Sequence, residues 1–332
     1  MPEAPKISLV VGSAGQDGYY LSALLRSRGD EVIGLSRGGC TSSRRGALER
    51  VDLTEREQVA RLLMRERPAE VYYLPAVHGS SESGSLDRYE TFMRSQAVHV
   101  DGWLNFLDAV GRHRLPSRLF YAASSHVFGE PAASPQSERT PFAPVCVYGI
   151  TKAAGVGLGR FYRRESSVFC SAGILYNHES PRRPMAFISR KLARAAAEVK
   201  LGRRKSVTIG SLSAIVDWGA AEDYVEAMTR ILALEEPGDF VVASGIPRTV
   251  RDLAEAAFSA VGLPWQPHVT EDTSIVKGVQ RRVPLVGDAS LLREATGWSP
   301  SLGFAEMIRR MVEAELEAYA ADPTGDAAAS GR

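Results

Sequence analysis

The chain has 332 residues, 44% hydrophobic and 24% charged, ordinary values for a folded protein, so general disorder and a minimal disulfide scaffold are excluded. At this length two domains, or one large α/β domain with an appended lobe, are expected. Forty basic residues stand against 39 acidic ones for a formal charge of +1, too balanced for the broad positive surface that a nucleic-acid partner requires, though not for a local basic pocket holding a small anion.

Lys6–Gly12 is a β-branched run ending in glycine, and Asp17–Arg28 carries helical apolar spacing through Tyr20, Leu21, Leu24 and Leu25, so a strand, a turn and a helix open the chain. Strands are predicted at Glu31–Ser36, Arg50–Leu53, Val71–Leu74 and Arg118–Ala122, with helices at Glu55–Glu66 and around Val98–Val110. That alternation means right-handed βαβ units and a parallel sheet covered on both faces. A helix from Pro144 to about Glu165 and a strand at Val168–Ile174 complete this half. Pro181 and Pro184 then break the rhythm. A helix at Ala186–Lys200, short strands near Val207–Ile209 and Phe240–Ala243, and helices at Ala221–Leu234 and Val250–Val261 read as a smaller lobe. The tail from Ala321 is small and polar, the composition of disorder. Cys40, Cys146 and Cys170 are odd in number and lack CxxC, which fits neither a disulfide framework nor a zinc site and predicts a reducing compartment. No apolar run approaches the roughly 20 residues of a membrane span, and a soluble cytoplasmic protein with no membrane partner is expected.

Gly12, Gly15 and Gly18 form GxxGxxG between the first strand and helix, where a dinucleotide pyrophosphate can approach bare backbone at a helix N-terminus. Three glycines also make a plain tight turn, so position matters more than the letters. The second strand ends in Ser36 and Arg37, with Arg44 and Arg45 nearby, rather than in a carboxylate. A guanidinium there suits a 2′-phosphate, which favours NADP over NAD, unless these arginines are solvated loop charges. Asp52 and Leu53 are placed to reach the adenine edge.

Tyr148 and Lys152 lie four apart on a predicted helix and share a face. A tyrosine with a pKa near 10 is a poor base at neutral pH, and an adjacent ammonium makes it usable. The chain has only six lysines, so the spacing is less easily a coincidence, although a surface Tyr/Lys pair is the plain alternative. Ser124 and Ser125 follow the strand Arg118–Ala122, at the carboxyl end where substrates of open α/β sheets lie; a strand-end cap is the plain alternative for a serine.

Taken in order, GSAGQDGYYL at Gly12–Leu21, VDLT at Val51–Thr54, PQSERTPFAP at Pro135–Pro144, YGITK at Tyr148–Lys152, YNHESPRR at Tyr176–Arg183, FISRK at Phe187–Lys191 and DWGAAEDYVEAM at Asp217–Met228 resemble an extended short-chain dehydrogenase/reductase of the GDP-mannose 4,6-dehydratase family. The resemblance implies an α/β fold: a Rossmann-type doubly wound parallel sheet over residues 1–175, a smaller C-terminal α/β substrate lobe over 176–320, and a tail over 321–332. It implies Tyr148, Lys152 and Ser124 as catalytic residues. Gly12, Gly15, Gln16, Asp17, Gly18, Arg37, Asp52, Leu53, Leu74, Ala76, His178 and Arg183 would be cofactor contacts, joined by Tyr148 and Lys152. Ser125, Asn177, Lys191 and Arg282 would hold a GDP-sugar. A homodimer or homotetramer is the implied assembly.

Two departures stand out. The family's catalytic glutamate is His126 here, and the arginine before DWG is Val216; the Pro75–His78 segment also departs from the family's run. With His126, the implied 4-keto sugar intermediate leads either to C4 epimerisation, which needs only tyrosine, lysine, serine and cofactor, or to dehydration with the imidazole as acid and base, or to one-way reduction. His126 can also be merely structural. A non-catalytic NADP-binding protein on the same fold is the remaining alternative.

Overall fold

The computed structural model describes residues 5–37, 39–40, 50–77, 87–276 and 282–321. Arg44, Arg45, His78 and the tail beyond Ala321 lie outside the described residues, as does the side chain of Cys40.

The opening run folds as β1 (Ile7–Val11), α1 (Gln16–Ser27) and β2 (Glu31–Ser36), with β3 (Gly39–Cys40) turning back along β2. Next come α2 (Arg56–Glu66), β4 (Glu70–Tyr73), α3 (Arg88–Gln96), a π-helical turn at Ala97–Asp101, α4 (Gly102–Arg112) and β5 (Arg118–Ala122). The long α5 (Val147–Ser166) leads to β6 (Cys170–Leu175). The sheet runs β10-β6-β5-β4-β1-β2-β3, where β10 is Asp239–Val242, and every pairing except β2 with β3 is parallel. Its strands are buried on both faces, as in the run Leu9–Val11 or Val71–Tyr73, because helices cover both sides of a parallel sheet.

The rest comprises β7 (Asn177–Glu179), α6 (Ile188–Lys200), β8 (Val207–Ile209), β9 (Ile215–Ala220), α7 (Ala221–Ala233), β11 (Pro247–Thr249), α8 (Val250–Ser259), β12 (Val269–Glu271), α9 (Ser290–Thr296) and α10 (Phe304–Ala321). A second core of α6, α8 and α10 packs on β9 around Leu192, Phe258, Ile308 and Trp218. The strand predicted at Phe240–Ala243 is not part of it. As β10 it pairs with β6, and Tyr224, Met228 and Leu232 of α7 are buried in the first core. After β6 the chain crosses to the second core, returns for α7 and β10, and crosses again. Arg50–Leu53 forms no strand. Asp52 instead closes a turn, its carboxylate accepting from Thr54 N (2.9 Å) and Oγ1 (2.7 Å), local bonding that competes with a ladder.

Candidate active site

The strand order reverses at β1, flanked by β2 and β4, and the crevice outside such a switch point is where open α/β sheets bind ligands. Three loops meet there: Gly12–Gly15 after β1, Leu74–Val77 after β4, and Ala123–Val127 after β5. Gly12 adopts φ +88°, and a Cβ on Gly18 would lie 2.4 Å from Gly12 O, so the turn presses bare backbone against bare backbone. Helix α1 starts at Gly15 with no side-chain cap, leaving its first N–H groups directed at the crevice. Ser13 Oγ is buried without a partner. An unsatisfied hydroxyl and uncapped amides at one helix N-terminus are the donors a diphosphate needs.

Helix α5 reaches the sheet so closely because Gly155 has no side chain; a Cβ there would meet Tyr121 Oη at 2.2 Å. That approach drives Lys152, 1% exposed, beneath the strand ends, where Nζ donates to Ala122 O (2.6 Å) and Pro75 O (3.1 Å). With carbonyls but no carboxylate bonded to the amine, burial pulls Lys152 down to about 7. Nζ sits 5.9 Å from the centre of the Tyr148 ring. Burial pushes the phenol up to about 12, opposed by a hydrogen bond with Ser124. The structure thus brings Ser124, Tyr148 and Lys152 together as the spacing predicts. The same burial favours the neutral form of both groups, so the enclosure opposes the ionisation of the phenol that an adjacent ammonium would favour.

His126 stands in a short 3₁₀ turn (Ser125–Val127), its ring edge-on to Tyr148 with centroids 5.6 Å apart. Its Nδ1 is 3.5 Å from Cys146 Sγ, and that sulfur, capping α5, also accepts from Gly149 N at 3.4 Å. The Tyr148 ring also meets His99 edge-on, with ring centroids 5.4 Å apart. The sequence assigns neither Cys146 nor His99 to this site. Cys146 sits two residues before Tyr148 at the helix start, a cap position that was legible; no local pattern marks His99.

Across the crevice, His178 links β7 to α1. Its Nδ1 faces Tyr176 O (2.7 Å) and its Nε2 both oxygens of Asp17 (3.0 Å). Both nitrogens meet acceptors, so both carry protons. Burial opposes this, but the charge and hydrogen bond of Asp17 raise the imidazole above its usual value. Burial likewise opposes ionisation of Asp17, and His178 overcomes it to lower the carboxyl. Gln16 Nε2 donates to His178 O (3.0 Å) and Gln16 Oε1 accepts from Ser180 Oγ (2.8 Å). Arg183 pairs with buried Glu179 at 3.2 Å and stacks on Phe187. The expected contacts Gln16, Asp17, His178 and Arg183 are therefore brought together, with these side chains bonded within the protein. Leu74 is half-buried and Ala76 exposed on the loop after β4; Ser125 is buried beside His126. Arg37 is exposed after β2, Leu53 O accepts from Asn105 (2.8 Å), and Asn177 and Lys191 are half-buried on β7 and α6. Arg282 is exposed at the start of the segment that resumes at 282.

A glycine turn at the switch point and a serine, tyrosine and lysine around the strand ends define a short-chain dehydrogenase/reductase architecture. The family model for GDP-mannose 4,6 dehydratase matches residues 9–311, and the chain belongs to that family. It is 36% identical to GDP-mannose 4,6 dehydratase 1 of Arabidopsis thaliana, over 94% of this chain and 90% of the relative. With the human GDP-mannose 4,6 dehydratase it shares 32%, over 97% and 95%. Among solved structures it resembles RMD from Pseudomonas aeruginosa complexed with NADPH (TM-score 0.78, 22% identity, 94% of this chain and 99% of that one). It also resembles the Thermus thermophilus UDP-glucose 4-epimerase complexed with NAD (0.76, 24%, 93% and 98%). No helix among the described residues is long and apolar enough to cross a membrane, and no cluster of three or more His, Cys, Asp or Glu there is arranged to hold a metal ion.

Proposed function

We propose that the chain converts a GDP-sugar through a transient 4-keto sugar and acts as a C4 epimerase with NADP. The carrying observation is His126: where the family resemblance implies a glutamate to complete dehydration, an imidazole stands edge-on to Tyr148 with Nδ1 turned to Cys146. The steps that remain need only the serine, tyrosine and lysine.

Gly12, Gly15, Gly18 and Ser13 would hold the pyrophosphate, Leu74 and Ala76 would border the bound dinucleotide, and Arg37 would meet the 2′-phosphate. Bound cofactor supplies the hydride acceptor at C4, and its positive ring lowers the phenol's pKa. Ser124 Oγ holds the C4 hydroxyl against Tyr148 Oη, which takes its proton. Lys152, titrating near neutrality, favours that transfer by carrying charge when the phenol does. Asn177, Lys191, Ser125 and Arg282 would grip the GDP-sugar. When the keto sugar turns over, the hydride would return to the opposite face of its C4 while the same tyrosine gives the proton back to the C4 oxygen.

A second reading has its own support. Cys146 Sγ lies 3.5 Å from His126 Nδ1 and the ring stands edge-on to Tyr148, and an imidazole oriented beside the phenol can serve as acid and base in a 4,6-dehydratase. Purified protein incubated with GDP-sugars and NADP, and separately with a GDP-4-keto-sugar and NADPH, followed by mass spectrometry, decides: an isomer at unchanged mass supports the epimerase, loss of one water the dehydratase, and consumption of NADPH with the keto sugar a 4-keto-sugar reductase. No conversion of any GDP-sugar, with Tyr148→Phe indistinguishable from wild type, sinks the enzyme reading.

The enzyme would work as a homo-oligomer in the cytoplasm. Ile150 and Phe161 of α5 and Tyr89 and Met93 of α3 are apolar and exposed, with Ala154 and Gly157 exposed between the α5 pair. Helix spacing makes them a stripe that a second copy would cover.

A further inference from the structure

His99 is fully buried in the π-helical turn Ala97–Asp101, and three elements meet on it. Its Nε2 accepts from Val77 N at 2.9 Å, in the loop after β4. A neutral imidazole that accepts at Nε2 carries its proton on Nδ1, and Nδ1 lies 2.8 Å from Thr151 Oγ1, so the ring donates to Thr151. Thr151 Oγ1 in turn reaches Val147 O (3.0 Å) and Tyr148 O (3.2 Å) one turn back. The chain of bonds runs from the loop after β4, proposed to border the dinucleotide, to the backbone of the tyrosine.

The π turn is what brings the ring there. Single π turns recur at functional sites because they disturb the regular ladder and re-aim side chains. Here tyrosines from the sheet brace it: Tyr73 Oη donates to Val98 O (2.5 Å) and Tyr121 Oη to His99 O (3.0 Å). Lys152 Nζ binds Pro75 O in the same loop that His99 binds through Val77 N. The loop after β4 is thus held at two points, one by Lys152 and one by a residue that also holds the helix of Tyr148.

We infer that His99 is a positioning residue: as the neutral Nδ1–H tautomer it fixes the loop at Pro75–Val77 to helix α5, and so sets where the Tyr148 oxygen stands relative to bound nicotinamide and sugar. The inference rests on the proposed use of Tyr148 as proton acceptor. His99 itself is fully enclosed, away from the open crevice. A misplacement of about 1 Å can cost on the order of 10²-fold in rate, which sets the scale of its effect.

The test uses three variants of the full chain, each checked for wild-type circular dichroism and thermal midpoint. His99→Phe removes both bonds and keeps an aromatic ring, His99→Gln keeps one acceptor and one donor, and Thr151→Val removes the acceptor while keeping the shape. His99→Phe is expected to lower kcat by about 10- to 100-fold with KM for the GDP-sugar changed less than about threefold. His99→Gln should recover most of the loss. Thr151→Val should lower kcat in the same direction, and adding it to His99→Phe should cost little more. A wild-type kcat in His99→Phe and Thr151→Val, no recovery in His99→Gln, or losses that multiply in the double variant would each overturn the inference. If His99→Phe does not fold, Thr151→Val carries the kinetic arm. A readout independent of turnover is the ¹⁵N spectrum of the His99 ring: a bare Nε2 and a protonated Nδ1 are expected, and a protonated Nε2 refutes the assignment. Tyr148→Phe separates the two failures, since turnover surviving that change removes the reading of the site whatever His99 does.

Discussion

The two walls of the crevice bury charge in opposite ways. On the α5 wall, Lys152 is enclosed with two backbone carbonyls and falls to about 7, and Tyr148 is pushed up to about 12. On the α1 wall, Asp17 and His178 are enclosed together, and each holds the other charged. A buried amine without a bonded carboxylate is brought to titrate near neutrality, where chemistry can use it, whereas a bonded acid–base pair is driven out of the working pH range and becomes structure. One wall is built to move a proton and the other to stay still.

The largest effect that separates the walls is on turnover. Tyr148→Phe removes the only group on the α5 wall proposed to accept the proton, and a loss of about 10²- to 10⁴-fold is expected, with a thermal midpoint close to wild type. Asp17→Asn should leave most of the rate. Comparable losses in both, measured at saturating GDP-sugar, would erase the distinction.

Lys152→Met comes next, because it acts on both rate and pH-dependence of stability. The lysine titrates at about 7 in the folded chain and at about 10.4 when unfolded. Between those values the unfolded state binds more protons, so the stability of the wild type rises with pH there. Relative to Lys152→Met, the wild type should gain stability from about pH 7 to about pH 10 in a series of urea titrations. A constant difference across that range would mean the amine is not paying for its burial.

This contrast also explains what the sequence could and could not reveal. The serine, tyrosine and lysine were legible because the spacing of four on a helix and the place after a strand are local facts, and β2 was found at Glu31–Ser36 for the same reason. The partner of Asp17 lies 161 residues away, and no periodicity encodes such a pair. Asp52 was misassigned to a strand end because its bond to Thr54 is a side-chain choice that apolar patterning does not register. Phe240–Ala243 was legible as a strand but not as a member of the main sheet: an apolar run reads the same in either core, and only the parallel register with Ala172–Leu175 decides. His99 was invisible because its meaning comes from a π turn, whose extra residue breaks the very spacing by which helices are read.

On the α1 wall the smaller effect is on stability. The side chains of His178 and Asp17 are 10% and 20% exposed, so removing one partner by Asp17→Asn is expected to cost about 2–4 kcal/mol, less than a fully dry pair. The sign with pH follows from both partners. The raised imidazole contributes fully below about 6.5 and loses its contribution as pH rises through its folded value; the lowered carboxyl contributes above about 3.9 and loses it as pH falls through its own. The wild-type advantage over Asp17→Asn should therefore peak between about pH 4 and 6.5 in chemical denaturation. An advantage that grows steadily above pH 8 would contradict the charged pair.

The smallest effect belongs to a charge on neither wall. Arg37 follows β2 and is exposed, so its attraction for a 2′-phosphate acts through solvent and is weaker than anything inside the crevice. Arg37→Ser is expected to raise Kd for NADP by about tenfold, or roughly 1.4 kcal/mol, while changing Kd for NAD less than about twofold. Because the pair is exposed, the NADP preference of the wild type should shrink as salt rises and the Debye length shortens from about 10 Å at 0.1 M to about 3 Å at 1 M, whereas the Asp17–His178 contribution, shielded from ions by its burial, should hardly move. Fluorescence titrations at the two salt concentrations measure this directly. Equal salt sensitivity at the exposed arginine and at the enclosed pair would show that burial is not what separates the charges of this protein.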